Sequence, residues 1–250
     1  ATEMQGEDTL NRFFEEQLQV WPDARQRFDD LKGVLLKPVT CAGMQFYVQC
    51  NPARLVSTGA KIDKAALAQR PCFLCEKNRP AVQTQIPIDN DFELLVNPFP
   101  ILPLHFTIPA KVHQPQLIRE HYGKMRRLLE SFEHLTVFYN GPKCGASAPD
   151  HMHLQAGTGS HLPLRDNWEQ LYSNRQTLFS TPDGSELAAI NNYACPAFAI
   201  VGRDAKADAT LFEALYKALP QREDETEPMF NILKWRNGEV YITVVIPRDK

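Results

Sequence analysis

The stretch Asn140-Gly-Pro-Lys-Cys-Gly-Ala-Ser-Ala-Pro-Asp-His-Met-His-Leu-Gln155 decides the fold, because it ends in a strand whose two faces differ in kind. Side chains alternate across a strand, so His151, His153 and Gln155 fall on one face and Met152, Leu154 and Ala156 on the other. One face is two imidazoles and a carboxamide; its reverse is apolar. Such a face suits nucleophilic attack by imidazole or metal ligation. Asn140 opens the loop before it. Gly141, Gly145, Ala146 and Ser147 let main-chain N–H groups close on an anion, and Lys143 adds a point charge. Directly before paired histidines, this loop reads as a phosphate cradle.

Upstream, Leu117, Ile118, Met125, Leu128, Leu129, Phe132 and Leu135 form the apolar stripe of a helix expected from Gln116 to about Leu135, followed by a strand at 136–139. Strands are also expected at 45–50, 92–96 and 104–108. Leu10, Phe13, Phe14, Leu18 and Trp21 recur at helical spacing within 9–31, interrupted by Pro22. Beyond about 165 the cycle begins again. A strand at 197–201 precedes a helix at 207–219, an acidic turn at 222–227, and a hairpin of 229–235 with 240–246 around Asn237-Gly238. Val244-Val-Ile-Pro-Arg-Asp-Lys250 echoes Phe106-Thr-Ile-Pro-Ala-Lys-Val112, which implies a degenerate internal repeat and a second copy cut short. The expected class is α+β, a mainly antiparallel sheet with packed helices, divided as 1–165 with the motif and 166–250 as a degenerate half.

Arg70-Pro-Cys72-Phe-Leu-Cys75 is the second constellation. A CxxC is a redox pair, a zinc half-site or a coincidence. The flank Glu76-Lys-Asn-Arg-Pro80 reads as a knuckle and turn, which favours zinc. The missing ligands would be His113 and one of His151 or His153. His105 reads as a hydrogen-bonded structural histidine, Arg54 and Lys61 as weaker anion-binding candidates, and His121, His134 and His161 as surface or structural residues.

Composition narrows the partners. The 250 residues carry 27 Lys plus Arg against 30 Asp plus Glu, a net charge of −3, so no basic excess points to nucleic acid. No apolar run approaches the roughly 20 residues that span a bilayer. The polar, acidic start and six cysteines, two in the CxxC and four scattered, fit a reducing cytoplasm.

Leu104-His-Phe-Thr-Ile-Pro-Ala-Lys-Val-His113, a long helix and then His151-Met-His-Leu-Gln155 resemble the histidine-triad superfamily in its own order. The glutamine in place of a third histidine resembles its transferase branch. That branch holds galactose-1-phosphate uridylyltransferase, diadenosine tetraphosphate phosphorylase and the GDP-hexose phosphorylases. The loop before His151 and the run Val96-Asn-Pro-Phe-Pro-Ile-Leu-Pro-Leu-His-Phe106 are most similar to the phosphorylases. The similarity spans roughly 45–160.

The resemblance implies a histidine-triad-like fold and a nucleotidyltransferase or phosphorylase acting on a nucleoside-diphosphate sugar or dinucleoside polyphosphate. His153 would be the nucleophile, Gln155 would bond a phosphate oxygen, and Ser147 with the loop amides would hold the phosphates. Zinc would sit on Cys72, Cys75, His113 and His151. Phosphate or a sugar phosphate would be the acceptor and a homodimer the assembly. The spacing from Ser147 to His151 is one residue longer than in the uridylyltransferases, and the second half lacks an HxHxQ. Two rivals stand beside this reading: a nucleotide hydrolase of the same superfamily, and a zinc-stabilised, inactive nucleotide-binding module.

Overall fold

A computed structural model describes residues 2–51, 64–159 and 161–249. The chain opens with helices α1 (Thr2–Val20) and α2 (Pro22–Lys32), broken at Trp21-Pro22 because proline suits the first turn of a helix and not its interior. A separate two-stranded sheet follows, β1 (Leu36–Cys41) with β2 (Met44–Gln49), then the short helix α3 (Lys64–Gln69). The first half of the main sheet is β3 (Ile86–Pro87), β4 (Glu93–Val96), β5 (Leu104–Pro109), helix α4 (Tyr122–Ser131), β6 (Thr136–Asn140) and β7 (His153–Thr158). Two short helices, α5 (Pro163–Asp166) and α6 (Trp168–Ser173), lead into β8 (Gln176–Ser180), β9 (Glu186–Ile190), β10 (Ala197–Gly202), α7 (Ala205–Ala218), β11 (Phe230–Asn237) and β12 (Val240–Pro247).

All ten strands β3 to β12 join one antiparallel sheet in the order β3-β4-β5-β7-β6-β11-β12-β10-β9-β8. That order reads the same from both ends once β5-α4-β6-β7 is matched to β10-α7-β11-β12. The order is the one an internal repeat would give, with a register that differs from the sequence echo. The Val-Ile-Pro of β12 occupies the place of β7, while the counterpart of β5 is β10. Strand ends that run into Pro109 and Pro247 look alike because proline terminates a ladder, whatever the strand's place.

The ladder fixes which residues correspond. Phe138 lies opposite Leu233, Gln155 opposite Phe138, and Val244 opposite Leu233. Val244 thus stands where Gln155 stands, and Ile242, two residues before it, where His153 stands. Leu233, Val244, Ala199 and Trp235 are covered by Leu164, Trp168 and Leu171 of α5 and α6, and Met44 and Phe46 of β2. In the second half this face is core. In the first half the same face carries His153 and Gln155.

The reverse face packs throughout on α4 and α7. Phe106, Ile108, Leu154, Ala156, Val137 and Ile232 meet Met125, Leu128, Leu129, Leu211 and Leu215 there, all buried. Asp204 caps α7 by accepting from the amides of Lys206 and Ala207, each at 3.0 Å. Beneath the helices lies a buried polar knot. Lys234 donates to Asp208, to Tyr122 at 3.0 Å and to Thr243 at 2.8 Å. Burial lowers the ammonium's pKa and the Asp208 charge opposes that shift. Asp208→Asn would leave an uncompensated buried cation and is expected to cost about 3–5 kcal/mol in denaturant unfolding. Gly157 in β7 has no room for a side chain, since a Cβ there would meet the Leu104 carbonyl oxygen at 2.2 Å. Gly157→Ala is expected to cost about 2–3 kcal/mol by the same measurement, through forced displacement of β5.

Helix α4 is shorter than the apolar stripe suggested. Residues 116–121 lie outside it because their polar groups are engaged elsewhere: the Gln116 amide bonds the Pro149 carbonyl and the Ile118 amide bonds Glu227. Among the described residues no helix is long and apolar enough to cross a membrane.

Candidate active site and metal centre

Strand β7 carries His153 and Gln155 into a cavity of about 670 Å³ and buries Leu154 and Ala156 on the opposite face, with Met152 just before it buried in the same core. Asn140, Gly145 and Ser147 line the same cavity, with Arg27, Arg70 and the aromatic rings of Trp21, Phe73 and Phe99. Gly145 adopts φ +99°, the left-handed region that glycine reaches without steric cost.

The His153 ring has one orientation available to it. Its Nδ1 lies 2.8 Å from the His151 carbonyl oxygen. A carbonyl only accepts, so Nδ1 carries the proton and Nε2 keeps its lone pair. Burial drives the imidazolium pKa down to about 4, so the ring is neutral at pH 7. A neutral imidazole with a fixed tautomer is a nucleophile held ready.

The main chain of His153 is gripped by a side chain. Between β6 and β7 the ladder reaches Phe138–Gln155 and then opens. Into the gap goes the fully buried carboxamide of Gln116. Its Oε1 accepts from the His153 amide at 2.7 Å, and its Nε2 donates to the carbonyls of His153 and Asn140, both at 3.0 Å. The carboxamide substitutes for a missing peptide group and pins the strand at His153.

Gln155 is oriented by a second relay. The Ile101 amide donates to His105 Nδ1 at 3.1 Å, so the His105 proton sits on Nε2, which lies 2.9 Å from Gln155 Oε1. Asn97 Nδ2 reaches the same oxygen at 3.4 Å. With Oε1 taken by donors, the amide nitrogen is the end that can meet an anion. His105 is hydrogen-bonded, as its position at a strand start suggested, and its partner is a cavity residue.

His151 leaves the shared face. Strand β7 begins only at His153, and the His151 ring turns to the cysteines. Its Nε2 lies 2.7 Å from the Ala110 carbonyl oxygen, which leaves Nδ1 bare at 3.2 Å from Cys72 Sγ and 3.6 Å from Cys75 Sγ. His113 Nδ1 stands 3.3 Å from Cys75 Sγ. One donor atom from each of Cys72, Cys75, His113 and His151 falls within 4.8 Å of the others. Burial and the neighbouring Cys72 push the Cys75 thiol's pKa up, since two sulfurs this close resist joint ionisation without a cation between them. The four donors can hold a metal ion. The knuckle is shaped for it: Asn78 donates to the Cys72 carbonyl at 2.8 Å, and Arg79 binds the Leu74 carbonyl and pairs with buried Glu93.

Lys143 is not brought to the cavity. It points to the acidic loop, 2.8 Å from Asp224 and 3.5 Å from Glu225. Arg54 and Lys61 lie outside the described residues. Arg70, which sequence reasoning passed over, reaches the loop. It donates to the Ser147 carbonyl at 2.9 Å, pairs with Asp150 at 3.5 Å and stacks on Phe73. Asp150 in turn stands 3.7 Å from His113, so cavity cation and metal cluster share one carboxylate. Gln116 was also passed over, having been assigned to a helix start.

A family model described as a domain of unknown function, DUF4922, matches residues 13–158. The chain belongs to that family. No curated protein matches the chain. Yeast Ap4A phosphorylase Apa2 is similar in structure. Its complex with Ap4A superposes with a TM-score of 0.57 at 18% identity, covering 92% of this chain and 81% of that one. Its complex with AMP gives 0.54 at 20% identity, covering 94% and 81%. At such identity the likeness is one of fold, and it is the histidine-triad-like fold that the motifs resemble.

Proposed function

We propose that this protein is a nucleotidyltransferase or nucleotide phosphorylase that works through a nucleotidyl-His153 intermediate. The observation that carries the reading is the fixed tautomer of His153, which presents a bare Nε2 to a cavity large enough for a nucleotide. In this reading the Nε2 lone pair attacks the α-phosphorus of a nucleoside-diphosphate sugar or dinucleoside polyphosphate. The bond from that phosphorus to the bridging oxygen breaks, and the rest of the donor, a sugar phosphate from a nucleotide sugar or a nucleoside polyphosphate from a dinucleoside polyphosphate, leaves with the electron pair. An acceptor phosphate or sugar phosphate then attacks the same phosphorus and frees the imidazole. The Gln155 amide, the loop amides near Gly145 and Ser147, and Arg70 would share the negative charge on the non-bridging oxygens. A carboxamide orients and does not donate a proton as an acid, which suits transfer to an anionic acceptor. Fold relatives whose structures contain Ap4A and AMP support a nucleotide as substrate.

The metal would be zinc on Cys72, Cys75, His113 and His151. Four protein ligands leave no open position, so its chemistry is structural: it ties the knuckle to the residues flanking β5 and β7. The two halves, 1–165 and 166–250, are read as one working unit and one packing unit. Intact-protein mass spectrometry after incubation with nucleotide sugars and dinucleoside polyphosphates tests the reading. A gain of one nucleoside monophosphate on His153, discharged by added phosphate, supports it. Discharge by water alone selects the hydrolase, and tight binding without adduct selects an inactive nucleotide-binding module.

A further inference from the structure

The acidic loop between α7 and β11 sends one side chain deep into the first half. Glu227 is 3% exposed, and among the described residues no cation lies within ion-pair distance of it. Its Oε2 accepts from the Ile118 amide at 3.1 Å, and its Oε1 makes a close contact with the Tyr139 hydroxyl. That hydroxyl also lies 3.0 Å from the Gln116 carbonyl oxygen. The carboxyl group therefore holds residues 116 and 118 from both sides, and Gln116 is the residue whose carboxamide grips the main chain of His153.

Counting protons decides which form of Glu227 fits. Tyr139 has one hydroxyl proton and faces two acceptors, the Gln116 carbonyl and Glu227. If Glu227 is a carboxylate, one of them goes without. If Glu227 is the neutral acid, its O–H donates to the Tyr139 oxygen and the Tyr139 O–H donates to the Gln116 carbonyl. Every group is then satisfied.

We infer that Glu227, in its neutral form, is a positioning residue for His153, completing a hydrogen-bond relay from Glu227 through Tyr139 to the Gln116 clamp. This rests on the proposed role of His153. Burial independently raises the Glu227 pKa to about 7, against the hydrogen bonds from Tyr139 and Ile118 that lower it. Tyr139 on β6, Tyr216 on α7 and Cys144 in the loop after β6 are the titratable groups that face it, and burial raises each of them, so they stay neutral over the same interval. On its own loop Glu225 is paired with Lys143. The neutral carboxyl is favoured in the fold relative to the unfolded chain, so the stabilisation is full below the ordinary glutamate pKa and is lost as pH rises through about 7.

Glu227→Gln tests the inference, because glutamine keeps the donor and the acceptor of the neutral acid. The rate of adduct formation on His153 is expected to fall above pH 7 in the wild type, and that limb should vanish in Glu227→Gln. Glu227→Leu should lose roughly 10- to 100-fold in rate constant with the half-saturating substrate concentration unchanged, as a misplaced nucleophile requires. Infrared difference spectra supply a readout that needs no catalysis: the protonated-carboxyl band should disappear near pH 7 in the wild type and be missing in Glu227→Gln. An identical pH profile in wild type and Glu227→Gln, or equal damage from Gln and Leu, overturns the inference. Absence of any adduct in the wild type refutes the role of His153 instead, while the infrared titration still decides whether Glu227 is neutral and joined to Tyr139.

Discussion

Replacing His153 by alanine is expected to abolish the nucleotidyl adduct and to lower transfer on the order of 10⁴-fold or more. The fold should survive. His153 sits at the open end of a ladder that is held by main-chain bonds to Gln116, and these do not involve the imidazole. Loss of the ring removes only its bond to the His151 carbonyl, where water entering from the cavity can substitute. Thermal unfolding should therefore move little while single-turnover mass spectrometry shows no gain in mass. In His153→Gly, added imidazole should restore part of the rate, because the missing group is a free-standing nucleophile and not a packed element. Transfer that persists in His153→Ala would remove the covalent route altogether.

The other large effect is expected at the cysteine–histidine cluster. Elemental analysis of the purified protein should give one zinc per chain, and Cys72→Ser with Cys75→Ser should give none. The unfolding free energy should fall by about 4 kcal/mol, the linkage value for an ion standing roughly 1,000-fold above its dissociation constant. The reason lies in where the ligands come from. Cys72 and Cys75 sit in a knuckle whose other apolar attachments are slight, a cluster of Leu74 and Ala148 with the two sulfurs. His113 and His151 flank β5 and β7. Without an ion, two thiols and two imidazoles face one another in a half-buried space with only weak sulfur–imidazole hydrogen bonds between them. Metal-free protein that is as stable as wild type would show the cluster to be a set of hydrogen bonds and nothing more.

Much of this site was legible in the sequence because it depends on local spacing. A period of two put Met152, Leu154 and Ala156 in the core, and the knuckle flank after Cys75 argued for ligation over redox chemistry. The chain cannot announce in the same way what depends on side chains from distant segments. Gln116 completes a ladder between two strands that follow it, and nothing in Gln-Pro-Gln116 distinguishes it from a helix start. Lys143 has the right charge for a phosphate loop, but Asp224 and Glu225, 81 and 82 residues downstream, claim it. The repeat was visible while its register was not. A Val-Ile-Pro ending says only that a strand stops, and the place of that strand is set by hydrogen bonds to neighbours. Strands β8 and β9 were missed because β8 is exposed along its whole length and offers no alternation to read.

The mirror order of the sheet has a consequence for how freely each half can vary. Where Gln155 and His153 stand, the other half has Val244 and Ile242 beneath Trp168 and β2. A saturation scan should divide along that line. At Val244, Leu233 and Ala199 the tolerated set is expected to be graded by volume, with aliphatic exchanges passing and every polar residue failing. At His153, Gln155 and Gln116 volume should hardly matter, since even isosteric apolar replacements lack the atoms that hold or present a proton. Two surfaces built from one plan would thus obey different alphabets, one written in size and the other in lone pairs.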